Sequence, residues 1–471
     1  MKKYDYAFVL IICLFIIFRL QDINLPFFWD ETGVYVKAIY YMQQHSISLL
    51  PNSIPTDLSR GHPLLFVFFY SLIAKTIGYH VYLIHSISLF FSVGTLLITY
   101  LINKRIISPF ASLAGVILLM VQPVFLSLSM MALPEMMLAF FTTLSIYFFI
   151  QKRAFLFFVV CSMALLTKES AIILPFGLFV GDLISTYLYK RRILKKDFIQ
   201  ILWVFLPLLV FISFFMIQKL QKGWFFFPEH TQLISFHFRD MLARSTRALY
   251  FLLIKQGRFL WLLIIGFITF IICKKSYHKE LLEKEYKVII TLGLFCMSVV
   301  AFTTFNFIMH RYLLYAIPSL SIITIYALNY LLPDIRKFSI SVLLFCFVAL
   351  YFMESKTFML DENMSYKKIV NIQLESTKYA EDHQLYNVPI FANYPIYHGL
   401  QNPCMGYLSN QPFTNVHTPY DSLTVTAKDS IRWCLIYNPV NFDFSTLPFK
   451  VKLETSFHTT IATMNIYKVI N

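Results

Sequence analysis

Charge is scarce in this chain. Of its 471 residues only 14% are Asp, Glu, Lys or Arg, where a soluble globular domain carries about 25%. With 58% hydrophobic residues there is too little polar surface to cover the molecule in water, which excludes a multidomain soluble enzyme. Glycine (13) and proline (19) are too few for a collagenous or low-complexity chain, and an aromatic content of 18% excludes intrinsic disorder. The seven cysteines are scattered without a CxxC, so neither a zinc ribbon nor a dithiol redox motif is present. What remains is a polytopic membrane protein, and the mean hydropathy of +0.64 agrees.

Acid is scarcer than base, giving a net charge of +15. The basic residues do not form one soluble face, which argues against a nucleic-acid partner. They fall in small clusters between apolar runs: Lys2-Lys3, Lys104-Arg105, Lys152-Arg153, Lys190-Arg191-Arg192, Lys274-Lys275 and Arg336-Lys337. Such clusters retain loops on the cytoplasmic side. Alternating the apolar runs with the clusters predicts about eleven spans. They run over Tyr6–Leu20, Val81–Ile102, Ile106–Leu126, Met136–Ile150, Ala154–Leu166, Ala171–Tyr189, Ile199–Ile217, Leu249–Cys273, Val288–Ile308, Tyr312–Leu332 and Ser339–Met353, with a shorter apolar stretch at Pro63–Ile77. The N-terminus is then cytoplasmic. The first loop (21–80), the segment 218–247 and the tail share the extracytoplasmic side.

The transmembrane module is expected to end at residue 353, and the tail 354–471 changes character. Tyr366–His383 reads as a helix, Val388–Asn393 and Ile431–Tyr437 as strands, and Lys450–Thr455 with Thr460–Val469 as a terminal hairpin. The fold class is therefore an all-α membrane protein with a small α/β C-terminal domain. On the extracytoplasmic side Cys404 and Cys434 are able to pair.

Few ionisable residues touch the apolar runs, so those that do stand out. Asp30 and Glu31 follow the aromatic cluster Phe27-Phe28-Trp29 just beyond the first span, and Glu135 opens another span on the same face. Cations accompany them: Arg60 and His62, Lys168 beside Glu169, and His310-Arg311. Each alone is a solvated loop charge, a helix N-terminal acid or a snorkelling base. Together they suit group transfer from a lipid-linked phosphate. A carboxylate takes a proton from an acceptor hydroxyl, and cations stabilise the departing phosphate.

In chain order, Trp29-Asp30-Glu31-Thr32, Arg60-Gly61-His62-Pro63-Leu64-Leu65-Phe66, Ala132-Leu133-Pro134-Glu135, Leu165-Leu166-Thr167-Lys168-Glu169 and His310-Arg311-Tyr312-Leu313-Leu314 resemble the stations of the GT-C superfamily. These are polyprenyl-phosphate-sugar glycosyltransferases, and the resemblance is to the branch of protein O-mannosyltransferases and the lipid A aminoarabinose transferase. It covers about residues 1–330. It implies an inverting single displacement with Asp30 as catalytic base, Glu31 orienting it or helping to bind a metal or acceptor, and Glu135 as the second acid. Lys168 and Arg311 would contact the donor phosphate, with Arg60 and His62 as further candidates and Glu169 and His310 in secondary roles. Gly33 stands where the lipid A branch often carries Arg, and Glu135 where Asp is common.

The partners implied are a polyprenyl (undecaprenyl) phosphate sugar, a lipid, glycan or protein acceptor, and the bilayer of a bacterial inner membrane. A divalent metal on Asp30, Glu31, Glu135 and His62 is compatible with the residues, although no ligand spacing demands one. Two other readings compete. A transporter needs ionisable groups near the bilayer midplane, where this chain has almost none. An O-antigen ligase or polymerase would shift the chemistry to segment 218–247.

Overall fold

The computed structural model describes residues 2–190, 192–260, 283–331, 340–341, 343–345, 348, 360–418, 430–438, 442–447 and 449–470. It is mostly helical. Four stretches among the described residues are long and apolar enough to cross a membrane: Val81–Ile106, Glu169–Lys190, Lys195–Lys222 and His310–Asn329. The helices Leu65–Ile77, Pro109–Met120, Pro134–Ile150, Ala154–Thr167 and Lys287–Thr303 are apolar but shorter.

Proline and glycine punctuate the bundle. Pro109, Pro123, Pro134 and Pro207 each sit in the first turn of a helix, where the missing N–H costs nothing. Gly223, at φ +84°, terminates Pro207–Lys222, as a left-handed C-terminal residue does. Pro123 also explains a departure from the sequence reading. The single span expected over Ile106–Leu126 is two helices, Pro109–Met120 and Pro123–Leu128, because Pro123 cannot donate to Leu119 and disfavours helix at Gln122.

Polar side chains join the helices. Ser88, Ser92, Thr95 and Thr99 are buried along one face of Val81–Ile106. The Ser92 hydroxyl donates to the Ser129 carbonyl at 2.8 Å, and Tyr70 and Ser88 share a 2.8 Å hydrogen bond. Where Ile173–Lys190 packs on Glu283–Thr303, Gly177 and Gly181 provide the close approach. A Cβ on Gly181 would lie 2.8 Å from the Cα of Thr291, and one on Gly177 3.1 Å from the Cα of Phe295. This spacing of small residues is a membrane packing device.

Two expected spans lie largely outside the described residues. Leu249–Leu253 belongs to the helix Phe238–Leu253, and the chain turns at Lys255–Gly257 with Gln256 at φ 57°. The rest of the stretch Leu249–Cys273 is mostly outside the described residues, as is most of Ser339–Met353.

The tail folds as a helix, Tyr366–Asp382, against a five-stranded sheet. Its strands are β1 (Ile390–Ala392), β2 (Val416–His417), β3 (Trp433–Tyr437), β4 (Lys450–His458) and β5 (Thr463–Ile470), in the order β2-β1-β3-β5-β4. β1 runs parallel to both neighbours; β5 is antiparallel to β3 and β4. Of the described strands the sequence reading misses β2, whose two residues are too few to show alternation, and it misses the short helix Ile396–Gln401. Cys404 and Cys434 are free thiols, and Cys434 packs with Phe391 in the core of the sheet.

This α/β unit is seated on the first loop. Phe27 N–H donates to the Met405 carbonyl at 3.1 Å, the Tyr407 hydroxyl to the Phe27 carbonyl at 3.0 Å, and the Tyr79 hydroxyl to the Cys404 carbonyl at 2.8 Å. Lys367 and buried Arg19 both pair with Asp22. One apolar core runs from the bundle into the tail.

Candidate active site

After the first helix, Lys2–Leu20, the chain crosses Phe27 and Phe28, both buried. It then makes a sharp turn at Trp29, which holds φ +50°. A π-helical turn, Glu31–Tyr35, follows; such turns recur at functional sites. The turn sends adjacent carboxylates in different directions. The Asp30 side chain is 34% exposed and pairs with Arg311. Glu31 is buried and accepts backbone N–H groups from Phe28 at 2.9 Å and Ala132 at 2.6 Å. Burial pushes the Glu31 carboxyl up to about 8 against the pull of those two donors. Glu31 thus ties the first loop to the loop that carries Glu135.

Glu135 opens the helix Pro134–Ile150 and is buried. One of its oxygens accepts from Lys168 Nζ at 2.8 Å and lies 3.6 Å from Arg311 Nε. Its other oxygen has no hydrogen-bond partner among the described residues. Lys168 follows Ala154–Thr167 in extended backbone and stands 3.9 Å from the centre of the Tyr312 ring. Arg311, in the tight turn His310–Ala316, is 1% exposed. It is shared by Asp30, Glu135 and Asp361. Asp30, Glu135, Lys168 and Arg311, distant in sequence, therefore form one ionic cluster.

A second group adjoins it. The His62 Nδ1 and the Glu169 carboxylate are 2.9 Å apart, and His62 and Lys168 line the same small cleft with Tyr35, Ser59 and Thr167. Gly61 places His62 there. It holds φ +72°, and a Cβ would lie 2.8 Å from Phe227 and 2.9 Å from Trp224. Arg60, also left-handed, is exposed. His310 takes a different part: it contacts Arg258 and Glu362 rather than the acid–base cluster.

Sequence reasoning missed several members. Asp361 and Glu362 form a second Asp-Glu pair, and that repetition is the one signal the sequence offered. Burial raises the Asp361 carboxyl, with Arg311 opposing. Burial also acts to raise Glu362, but hydrogen bonds from His310 and Lys255 prevail and lower it. Arg258, fully buried, donates to the Gln122 side chain at 3.0 Å and the Phe251 carbonyl at 2.6 Å. His230 lies 4.9 Å from His62, ring to ring. Burial, then the neighbouring His62, lowers it to about 4. Tyr394 of the tail packs edge-on against Trp29 at 4.8 Å.

Among the described residues no three His, Cys, Asp or Glu side chains are grouped to hold a metal. The space between Asp30 and Glu135 is taken by the Arg311 guanidinium, so this donor set as arranged does not fit a divalent ion.

Comparison with known proteins agrees with this architecture. Residues 61–217 match the model of the family described as dolichyl-phosphate-mannose-protein mannosyltransferase. The structure aligns with the crystal structure of ArnT from Cupriavidus metallidurans bound to undecaprenyl phosphate, over 99% of this chain and 98% of that one, at 12% identity and a TM-score of 0.58. The chain shares the fold of this ArnT over nearly its whole length. The apo form of the same ArnT aligns at 13% identity, a TM-score of 0.57 and 98% coverage of each chain. The archaeal oligosaccharyltransferase AglB from Archaeoglobus fulgidus, in complex with an inhibitory peptide and a dolichol-phosphate, aligns at 9% identity and a TM-score of 0.44, over 88% of this chain and 66% of that one. No curated protein matches the sequence.

Proposed function

We propose that this GT-C chain is an inverting glycosyltransferase of the bacterial inner membrane. It moves a sugar from a polyprenyl phosphate to an acceptor hydroxyl at the extracytoplasmic face, with residues 1–353 as the transferring module. The observation that carries this reading is the half-exposed carboxylate of Asp30, held by a buried arginine beside a second acid and a lysine.

The geometry divides the work. Asp30 is the base: it takes the acceptor proton as the acceptor oxygen attacks the anomeric carbon. Arg311 fixes its direction. Because Arg311 is already shared by three carboxylates, a phosphate entering at that point would meet surplus negative charge. The cleft between His62 and Lys168 is the better place for the leaving phosphate, with exposed Arg60 nearby as a cation at its rim. Glu135 holds Lys168 toward that cleft, and Glu169 orients His62.

Transfer to envelope glycans or glycolipids from a polyprenyl-lipid extract, assayed with the reconstituted protein, tests the reading. Wild type gives a mass increment of one sugar and Asp30→Asn gives none. Equal transfer by both rejects the assignment.

A further inference from the structure

Beyond the cluster that would handle the donor, aromatic rings extend from Asp30 across the junction between the first loop and the tail. Trp29, next in sequence to Asp30, contacts Tyr394. The Tyr394 ring is 6.2 Å from Tyr397, and the Tyr397 ring is 3.9 Å from His398. Trp29, Tyr394 and Tyr397 are all part-exposed. The packing is close on the loop side, since a Cβ on Gly33 would lie 3.1 Å from the Tyr394 hydroxyl. Trp29 adopts a left-handed backbone, which a bulky L-residue rarely holds without strain. That strain is retained where it turns an indole toward the tail and a carboxylate toward Arg311.

Lys37 closes the far side. Its Nζ is 2.6 Å from His398 Nδ1. Burial lowers the Lys37 pKa, and burial with the neighbouring Lys37 holds His398 down to about 3. The imidazole is therefore neutral and accepts from the ammonium. Arg19, Lys168, Lys255, Arg311 and Lys367 each have a carboxylate in ion-pair range; among the described residues Lys37 has none. A half-buried cation whose hydrogen-bond partner is a neutral ring, with Asp57 acting on it only from beyond ion-pair range, leaves charge that an anionic ligand would balance.

We propose that Trp29, Tyr394, Tyr397 and Lys37 form the acceptor subsite, and that the acceptor is an acidic glycan. The C–H faces of a sugar ring pack on the aromatic strip, a carboxylate or phosphate substituent meets Lys37, and a hydroxyl is delivered to Asp30. That hydroxyl gives its proton to the Asp30 carboxylate while its oxygen bonds to the donor's anomeric carbon. The bond from that carbon to the phosphate oxygen breaks, and its electron pair leaves on the phosphate. The inference rests on the glycosyltransferase reading and supplies its acceptor class.

Full-length protein in nanodiscs is given the polyprenyl-lipid extract of a deletion strain as donor. Three envelope fractions of that strain, acidic glycan, neutral glycan and protein, serve as separate acceptors. The one-sugar increment is expected in the acidic fraction. Lys37→Gln and Tyr397→Leu should raise the half-saturating acceptor concentration about tenfold and leave the dependence on lipid extract unchanged, and Tyr397→Phe, which keeps the ring, should recover the wild-type value. An increment confined to neutral glycan or protein overturns the inference, as does an unchanged half-saturation in both variants, while glycosyl transfer itself stands. No increment with wild type in any fraction overturns the transferase reading and this inference with it.

Discussion

Two Asp-Glu pairs converge on one arginine from opposite ends of the chain, and they use their two carboxylates in opposite ways. In the first, Asp30 is part-exposed and Glu31 is buried; in the second, Asp361 is buried and Glu362 is part-exposed. Both aspartates grip Arg311. Glu31 is satisfied by backbone N–H groups, whereas Glu362 is satisfied by Lys255 and His310. The difference teaches that the dipeptide does not assign a role. Nor does the local backbone, since each pair follows a left-handed residue, Trp29 at φ +50° and Leu360 at φ +46°; the packing does, because Asp361 is closed over by Ser127, whose hydroxyl donates to its carbonyl at 2.5 Å, while the Asp30 side chain stays part-exposed.

This contrast breaks most sharply in activity. Asp30→Asn should lower transfer about 10²–10⁴-fold with little change in thermal stability, while Asp361→Asn should lower stability more than it lowers the acceptor-saturated rate; steady-state kinetics beside a melting curve separates the two. Next comes the shared partner. Arg311→Met strands Asp30 and the buried Asp361 and leaves Glu135 with Lys168 alone, and removal of one member of a buried ionic group costs about 3–5 kcal/mol, so its melting temperature should fall further than that of either aspartate variant. Then the two glutamates should differ in their response to pH. Glu31 is raised from its ordinary value near 4.5 to about 8, so the fold favours its protonated form. Its penalty is absent below about 4.5 and grows as pH rises through 8. Relative to Glu31→Gln, the wild type should lose stability over that interval, on the order of a few kcal/mol. Glu362, lowered by its hydrogen bonds with His310 and Lys255, should show the opposite sign: relative to Glu362→Gln, the wild type loses stability as pH falls below the ordinary carboxylate range. The smallest effect belongs to a control far from both pairs. Gly181→Val places a side chain against Thr291 and should cost about 1–3 kcal/mol without altering the half-saturating donor or acceptor concentration.

Much of this was legible in the sequence because scarcity made it so. In a chain so poor in charge, an acid or base beside an apolar run is conspicuous, and Asp30, Glu135, Lys168 and Arg311 stand out on that ground alone. The helix Tyr366–Asp382 and the hairpin of β4 and β5 declared themselves by periodicity. What stayed hidden depends on tertiary contact. Arg258 sits in a stretch that reads as a membrane span, and nothing local says its guanidinium meets Gln122. Tyr394 lies in a polar tail, with no pattern linking it to Trp29. His230 belongs to a loop whose docking is governed by Gly61, and a glycine's φ is not written in its neighbours. The break before Pro123 was legible in principle; the apolar run concealed it.

The seating of the tail on the first loop has a consequence for biosynthesis. Asp30 emerges from the ribosome early, but Arg311, Asp361 and Tyr394 are made much later, and the Phe27 and Tyr79 contacts close only when Met405, Cys404 and Tyr407 arrive. A nascent chain halted before that point carries Asp30 without the groups that aim it. On the proposed reading, synthesis of the tail is thus the step that arms the site, and products truncated before it lack the contacts that shape the first loop.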